Sequence, residues 1–469
     1  MKTSKIIIAL LLVTVMVFGI AACKKTAPVV EAPPTTGTDP APVVTEAPVV
    51  VEPVEKTKIT FSFWGNPEEF EVTDAVLQKF NEQSETVEVV GLQFTSDDYN
   101  VRMQALATSG DMPDCGMIKE DTAISWAEMG ILGDASTLYE GLPKPLESIT
   151  FKFDGKEVAY SNAQEILMLY YNKAMFDAAE VAYPPATLDA AWSWDEFVDV
   201  AKKLTIDKNG KNASEAGFDK KNIVQYGCSV NTITWQLEVW ALSNGGRFYS
   251  EDGKALMLDD PATIEALQMI ADLHLVHGVA PMRPGTTDDQ IPSTIGAGNV
   301  AMATCGQWNV GTFFPQYVAD GGSYGIGVLP YMKNKVTIAT AGPVGVFASS
   351  PNAEAAGEFV RWYNSAENNW GLIESGIWMP ATADFYTDEA KLQSWIGNPN
   401  FPAEYRTAVV DVAKDPAVNK PTGWYYSNNV NKVYNVLQPA LVEAFNGTKT
   451  VADVIAANLD ALKAAHAGN

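Results

Sequence analysis

Histidine and cysteine, which often bind metals or carry nucleophilic chemistry, are scarce in this chain of 469 residues, which has three histidines and four cysteines. His274 and His277 stand close together with no other histidine or cysteine nearby, so we interpret them as ordinary residues at a helix end. Cys115, Cys228 and Cys305 are widely spaced and odd in number, which favours buried free thiols over a disulfide framework, with one bridge as an alternative. No pattern in the sequence indicates a metal site or a cofactor.

Positive charge and the common catalytic motifs are also missing. The chain has 57 acidic and 32 basic residues and a formal charge of −25, which argues against nucleic-acid binding and against a basic membrane-binding surface. It has no glycine-rich phosphate loop with a following Lys-Ser/Thr, no Gly-x-Ser-x-Gly and no His-Glu-x-x-His. Residues 207–211 begin like a calcium loop, but glycine comes too early, so we interpret them as a turn. Serine or cysteine hydrolase chemistry is therefore poorly supported.

The N-terminal region does have the pattern of an export signal. Lys2 and Lys5 precede an apolar run from Ile6 to Phe18, and Ile-Ala-Ala then leads to Cys23. The run is shorter than the ~20 apolar residues that span a bilayer, so we predict a signal peptide at 1–22. The residues before Cys23 resemble a bacterial lipobox, which implies that Cys23 is lipidated and anchors the protein to a membrane outside the cytoplasm. An ordinary signal peptide with a chance cysteine is the alternative.

Residues 23–56 are rich in proline and valine, and the sequence Ala-Pro-Val-Val recurs within them. Because proline favours extended backbone and lacks an N–H donor, we predict a tether without a core between the lipidated cysteine and the body. The body from residue 57 onward has roughly 410 residues, more than one core usually holds, so we expect two domains.

Alternating strand and helix patterns open the body. Lys58–Trp64 and Val87–Gln93 are β-rich, while Glu69–Gln83 and Asp98–Ser109 have apolar residues at helical spacing. This order predicts an α/β layer fold. Further helices are predicted at Asp195–Leu204, Pro261–His274, Asn352–Asn364 and Val430–Phe445.

A series of segments through nearly all of residues 58–469 resembles one family, the extracellular solute-binding proteins of ABC importers that carry sugars and oligosaccharides. Each segment alone is a weak signal, but they follow one another in the order that the family has. The segments are Ile59–Trp64, Met103–Asp114, Trp126–Leu132, Leu169–Lys173, Trp194–Phe197, Ala201–Thr205, Asp260–Leu267, Gly298–Met302, Gly306–Trp308 and Ala355–Phe359.

The resemblance implies a two-lobed α/β fold, like that of periplasmic binding proteins, with discontinuous lobes, three hinge crossings and a central cleft for ligand. By analogy the crossings lie near 160–164, 328–330 and 376–380. The N-terminal lobe then comprises 57–162 and 330–377, and the C-terminal lobe comprises 163–329 and 378–469. The hinges would absorb the backbone change when the lobes close on ligand. We expect a monomer whose protein partners are the permease subunits of an ABC transporter.

Sugar binding needs carboxylates, amides and N–H groups for the hydroxyls and flat aromatic rings for the C–H faces. Asn66 and Glu68 follow the first strand, where the family places polar ligand contacts; plain turn residues are the alternative. Glu120 and Asp121 are candidates because they follow a strand, and the resemblance implies a sugar-binding acid at Asp121. It implies the same for Glu165 after the first crossing, where a hinge-stabilising hydrogen bond is the alternative.

The aromatic candidates are led by Trp308, in the Gly-Gln-Trp turn after a strand, where the resemblance implies a stacked sugar ring. Trp235, Trp378 near the third crossing, and Trp424 at a helix start are the others, and Gly342 could offer its N–H to ligand because glycine permits close approach. At Ile118 the sequence departs from the maltose-type pattern, which has an aromatic residue there. Maltose is therefore not assigned as the ligand.

The sequence thus predicts a lipid-anchored receptor, not an enzyme, that captures a sugar or oligosaccharide by lobe closure and delivers it to an ABC permease. Three alternatives stay open. An exported glycoside hydrolase would need two carboxylates ~5–10 Å apart across the scissile bond. A receptor of the same fold could present its ligand to a sensor, or it could bind a polyamine, a metal complex or a peptide instead of a sugar.

Overall fold

The computed structural model describes residues 55–282, 294–399 and 401–468. The predicted signal peptide at 1–22, Cys23 and nearly all of the tether lie outside the described residues. Within the described ranges, no helix has both the length and the apolar character needed to cross a bilayer.

Strands and helices alternate along the chain. The strands are β1 Thr57–Gly65, β2 Val87–Thr95, β3 Cys115–Met117, β4 Lys152–Phe153, β5 Lys156–Glu157, β6 Tyr160–Asn172, β7 Ile206–Asp207, β8 Ile223–Ser229, β9 Val300–Gly306, β10 Tyr324–Gly327, β11 Thr337–Val346 and β12 Asn419–Lys420. The α-helices are α1 Pro67–Gln83, α2 Ser96–Ser109, α3 Glu120–Glu128, α4 Lys173–Ala178, α5 Trp194–Leu204, α6 Thr234–Ser243, α7 Pro261–Leu275, α8 Phe314–Ala319, α9 Ala353–Tyr363, α10 Trp370–Glu374, α11 Asp384–Thr387, α12 Glu389–Ile396, α13 Asp411–Ala413, α14 Val430–Phe445 and α15 Val451–His466. Short 3-10 turns at Gln307–Val310 and Gly423–Tyr425 matter for the site.

Local sequence explains where the helices begin. Asn66 caps α1 through a capping box with Glu69, and Pro67 occupies the first turn, where a missing N–H costs little. The helix therefore begins two residues before the predicted start at Glu69. The predicted helix at Val430–Phe445 is confirmed as α14.

One mixed sheet runs through the described body in the order β2-β1-β3-β11-β6-β9-β8-β7, with β10 on β6 and β12 on β11. Pairing is parallel between β1 and β2 and between β8 and β9. It is antiparallel in the middle, where β11 meets β3 and β6, and at the edge, where β7 meets β8. The central strand β6 is almost wholly buried, as its long apolar run requires.

The two main apolar clusters lie on opposite faces of this sheet. Alternate side chains of β6 go to different clusters: Ile166 and Met168 belong to one, and Leu167 and Leu169 belong to the other. This is the two-residue period of a strand. The cysteines in the described part of the chain, Cys115, Cys228 and Cys305, are buried and free, so the prediction of free thiols is confirmed.

Strand β11 connects the two halves of the sheet. It pairs with β3 through Val344 and Met117, and with β12 through Thr337 and Asn419. In the segment predicted as the second crossing, 328–330, the N–H of Val328 donates to the carbonyl of Pro185. The strand that joins both parts of the sheet, β11, follows this segment in the chain, and the second crossing near 328–330 and the lobe boundary at 330 stay predictions.

The predicted first and third crossings lie side by side. The N–H of Gln164 donates to the carbonyl of Met379 at 3.0 Å, and the N–H of Met379 donates back at 3.1 Å. The same part of β6 pairs with β11 through Glu165 and Thr340. Three chain segments thus meet at this point of the sheet, which we call the strand crossing. The assignment of residues to two separate lobes stays a prediction.

Residues 207–211 form the expected turn. Both carboxylate oxygens of Asp207 accept backbone N–H groups, from Asn209 at 2.8 Å, Lys211 at 3.0 Å and Asp219 at 2.8 Å. Asp207 is 1% exposed, and these donors satisfy it without a cation.

Candidate functional site

Three of the predicted aromatic residues come together. Trp235 lies in the first turn of α6, Trp308 in the 3-10 turn after β9, and Trp424 in the 3-10 turn at Gly423–Tyr425. The ring of Trp235 is 6.3 Å from that of Trp308 and 5.1 Å from that of Trp424, centroid to centroid, with tilts of 36° and 40°. We call these three side chains the tryptophan group.

The members of the group differ in exposure. Trp424 is 5% exposed, whereas Trp235 and Trp308 are half-buried. Trp424 therefore backs Trp235, and the other two rings offer apolar surface to a ligand. Trp424 lies in a short 3-10 turn. The sequence predicted a helix start at this residue, but the next helix begins only at Val430.

The turn at Trp308 depends on glycine and on hydrogen bonds from a neighbouring strand. A Cβ on Gly306 would lie 1.9 Å from the Trp308 ring, so the ring can fold back only across a glycine. The Tyr170 hydroxyl donates to the carbonyl of Gly306 at 3.0 Å, and the Asn309 amide donates to the same carbonyl at 3.0 Å. These contacts fix the direction in which the indole points.

Two predicted carboxylates lie at the strand crossing and are attached to adjacent residues of β11. The Thr340 hydroxyl donates to Glu165 Oε2 at 2.6 Å, and the Ala341 N–H donates to Glu120 Oε1 at 3.4 Å. We call Glu120 and Glu165 the carboxylate pair. Burial raises the pKa of Glu165 to about 8, and the negative charge of Glu120 adds to the effect. Burial also raises the pKa of Glu120 to about 7, against the opposing charge of Lys119.

Asp121 lies beside the pair, in the first turn of α3. Its Oδ1 accepts a hydrogen bond from the Asn100 amide at 3.2 Å, and burial raises its pKa above the ordinary value. The preceding Lys119 lies with its Nζ 4.3 Å from the Trp64 ring centroid and donates to Ser96 Oγ at 2.8 Å. One cation and several carboxylates therefore share this end of the site.

Tyr425 connects the tryptophan group to the carboxylate pair. It directly follows Trp424, and its hydroxyl donates to the carbonyl of Ala339 in β11 at 3.3 Å. Burial holds the pKa of Tyr425 far above its usual range, and the charges of Glu120 and Glu165 raise it further. Tyr425 thus links the two groups, because it follows one indole in the chain and is bonded to the strand to which both carboxylates are attached.

Asn66 has a structural role. Its side chain accepts the Glu69 N–H at 3.0 Å, and its own N–H donates to Glu69 Oε2 at 2.7 Å. Glu69, which the sequence reasoning missed, is close enough to Glu165 for its charge to raise the pKa of that residue. Glu68 lies in the first turn of α1. Ligand binding by Asn66 and Glu68 stays a prediction.

Gly342 and Trp378 pack at the strand crossing, and the described contacts do not join them to the tryptophan group. A Cβ on Gly342 would lie 2.6 Å from Asn162 Oδ1 and 3.6 Å from the Trp378 ring. Trp378 is 8% exposed and meets the Tyr363 ring edge-on at 6.4 Å. Packing explains both residues, and their role in ligand binding stays a prediction.

The structure adds Asn162 to this part of the site. It is 4% exposed, and neither atom of its carboxamide has a hydrogen-bond partner within the part of the chain that the structure describes. Buried amides are normally paired, so an unpaired one at the strand crossing is available to a ligand. Neither Asn162 nor Thr340 has a local sequence pattern that could have identified it, because each is defined by strand pairing.

A cavity lies away from these residues. It has a volume of about 650 Å³ and adjoins α8, and it contains none of the predicted site residues. It is lined by Gly296, Thr312, Phe313, Gln316, Tyr317, Asp320, Gly321 and Gly322.

The family of the chain follows from a comparison with known proteins. Residues 75–403 match the model of the bacterial extracellular solute-binding proteins. Since the match spans most of the chain, the protein belongs to that family, and the resemblance inferred from its segments is confirmed.

Individual relatives are more distant. An arabinooligosaccharide-binding protein of Halalkalibacterium halodurans is 27% identical over 148 residues, which is 31% of this chain and only 29% of that relative's length. An ABC substrate-binding protein of Listeria monocytogenes, solved in complex with cycloalternan, superimposes with a TM-score of 0.72 at 24% identity, covering 88% of this chain and 98% of the other. Maltose-bound MalE3 of T. maritima superimposes with a TM-score of 0.70 at 20% identity, covering 87% of this chain and 99% of the other. These likenesses confirm the predicted α/β binding-protein fold.

Proposed function

We propose that this protein captures a sugar or oligosaccharide at the strand crossing and delivers it to the permease of an ABC transporter. The observation that carries the proposal is the link that Tyr425 makes between the tryptophan group and the strand that holds the carboxylate pair. Flat rings suit the C–H faces of a sugar, and carboxylates accept hydrogen bonds from its hydroxyls. A relative named for arabinooligosaccharide binding and two similar structures solved with cycloalternan and maltose support the same class of ligand.

Capture needs no covalent chemistry. Ligand that touches Trp235 and Trp308 on one side and Glu120 and Glu165 on the other would favour the conformation in which these groups are close, and so would shift the population towards it. The connecting strands β6 and β11 would act as the hinge. The family is one of binding proteins, and we infer that this chain is not catalytic.

Location and anchoring are part of the proposal. Membership of an extracellular family supports a place outside the cytoplasm. We propose that Cys23 carries the lipid that anchors a monomeric receptor to the membrane, with residues 24–56 as a tether. Labelling with a fatty-acid analogue would test this, since the label should be lost on Cys23→Ala.

The binding experiment uses the mature body with maltotriose, cellotriose, xylotriose and arabinotriose, each titrated by calorimetry and by thermal melting. A ligand at ~100 times its Kd should stabilise the native state by ~2.7 kcal/mol, which raises the melting temperature by a few degrees. Selective binding of one glycan would support the proposal. If no glycan binds while a polyamine or a peptide does, the assignment of sugar as the ligand is wrong.

A further inference from the structure

Helix α6 carries a buried acid as well as the first indole of the tryptophan group. Glu238 is 0% exposed on a helix whose neighbouring side chains are almost all buried. Burial raises the pKa of Glu238 to about 8, against the opposing effects of Gly423, Tyr434 and Arg247. A carboxylate is costly to bury unless it is hydrogen-bonded, so its partner in the structure is informative.

The partner is the backbone of the turn that carries Trp424. The N–H of Gly423 is shared between Glu238 Oε1 at 3.1 Å and Oε2 at 3.2 Å. Gly423 begins the 3-10 turn, and Trp424 is its next residue. Trp235 and Glu238 are three positions apart in α6 and so lie on the same side of the helix. One carboxylate therefore joins the helix of one indole to the turn of the other.

The surroundings leave this contact little freedom. A Cβ on Gly423 would lie 2.1 Å from the Tyr249 ring, so the turn is closely packed on its other side. The start of α6 is fixed independently, because the N–H and the hydroxyl of Thr234 both donate to Gln438 Oε1 at 2.8 Å. With the helix fixed at its start, the bond from Gly423 to Glu238 sets the position of Trp424 against Trp235.

We propose that Glu238 is a positioning residue of the candidate sugar site: through Gly423 it holds Trp424 behind Trp235 and so fixes the ring surface that Trp235 presents to ligand. This inference rests on the proposed function. Glu238 itself does not touch the ligand. Its effect on binding passes through the geometry of the indole pair.

The test separates the reach of the side chain from its carboxyl group. Glu238→Asp keeps the carboxyl group but is one methylene too short, whereas Glu238→Gln keeps the length and one acceptor oxygen. Two readouts are taken on the mature body: the exciton signal of the Trp235–Trp424 pair in far-ultraviolet circular dichroism, and the Kd for the best glycan of the four trisaccharides. Trp424→Phe identifies the part of the exciton signal that this pair produces.

The matched control is Asp207→Ala. It also removes a buried acid that accepts backbone N–H groups, but in the 207–219 loop, which contributes no residue to the site. Glu238→Asp should lose the pair's exciton signal and weaken binding about 10-fold, the cost of one lost buried hydrogen bond. Glu238→Gln should retain most of the exciton signal and most of the affinity. The Asp207 variant should retain the full signal and affinity while melting at a lower temperature.

Retention of the exciton signal and of the wild-type Kd in Glu238→Asp would overturn the inference, as would equal losses in the Asp and Gln variants. The proposed function fails in a different way, namely if the wild-type protein binds none of the four glycans. The exciton signal does not need ligand, so it would still decide whether Glu238 positions the two indoles.

Discussion

The tryptophan group and the carboxylate pair serve one candidate site but are held in different ways. The indoles come from a helix and two short turns, and they lie against one another at 5.1 and 6.3 Å. The carboxylates are attached by hydrogen bonds to adjacent residues of one strand. The packing of apolar rings does not depend on pH, whereas the charge of a buried carboxylate changes when it takes up a proton. Affinity should therefore depend on shape through the first group and on pH through the second.

The largest effect is expected from removing a ring of the tryptophan group. Trp308→Ala takes away the half-buried indole that the Gly306 turn orients, and such central aromatic residues often contribute ~2 kcal/mol or more to binding. The Kd for glycan should rise about 30-fold, measured by calorimetry. Trp362→Ala is the matched control, because Trp362 is also half-buried but packs against Phe80 at 5.1 Å, away from the site. Equal Kd values in the two variants would contradict the assignment.

The second effect concerns the carboxylate pair. Glu120 and Glu165 have pKa values raised to about 7 and about 8, and their ionised forms are the stronger acceptors for sugar hydroxyls. The glycan Kd should therefore fall about 10-fold as the pH rises from about 6 to about 9. Glu165→Gln should reduce this fall in Kd, mainly in the upper half of the pH range, where Glu165 ionises. A Kd independent of pH would mean that the carboxylate pair does not bind the ligand.

The same comparison shows what the sequence could and could not predict. Trp308 and Trp424 were predicted because a known family has stacking residues at these places, and Trp235 was predicted as a further aromatic candidate. Their mutual contact appears only in the structure. The fold class followed from alternating local patterns, which depend on residues close in the chain.

Strand β11 was not predicted, because it is defined by its pairing with β3, β6 and β12 and has no local marker. Thr340 and Asn162 were missed for the same reason. Asn66 was named for its position after a strand, but the pattern of asparagine followed three residues later by glutamate is a helix cap. Contacts between distant segments thus account for most of what the sequence left out.

A third and smaller effect is expected on stability. The pKa of Glu165 is raised in the folded protein to about 8 from an ordinary value of 4.5, so the folded state holds a proton that the unfolded chain releases. This contribution to the free energy of unfolding is full below about pH 4.5 and is lost as the pH rises through about 8. Glu165→Gln should therefore reduce the loss of unfolding free energy over this pH range by about 1–2 kcal/mol, measured by denaturant titrations. Glu354→Gln, at an exposed glutamate of α9, should leave the slope unchanged.

The smallest effect isolates the bond between Thr340 and Glu165. Thr340→Val keeps the shape of the side chain but removes the hydroxyl that donates at 2.6 Å and lowers the pKa of Glu165. Without this donor the carboxylate is harder to ionise, so the midpoint of the pH dependence of glycan affinity should move upward by about half a unit. At a pH well above both pKa values the Kd should stay within about 3-fold of wild type, because the carboxylate is then ionised in both proteins.

Thr337→Val is the matched control for this variant. Thr337 lies on the same strand, and its hydroxyl donates at 2.7 Å to the carbonyl of Leu167, a group that does not titrate. Its loss should lower stability without moving the pH midpoint. If both threonine variants shift the midpoint equally, the pH dependence comes from the packing of β11 as a whole. Only a shift confined to Thr340→Val shows that the strand tunes one carboxylate while the tryptophan group stays as it is.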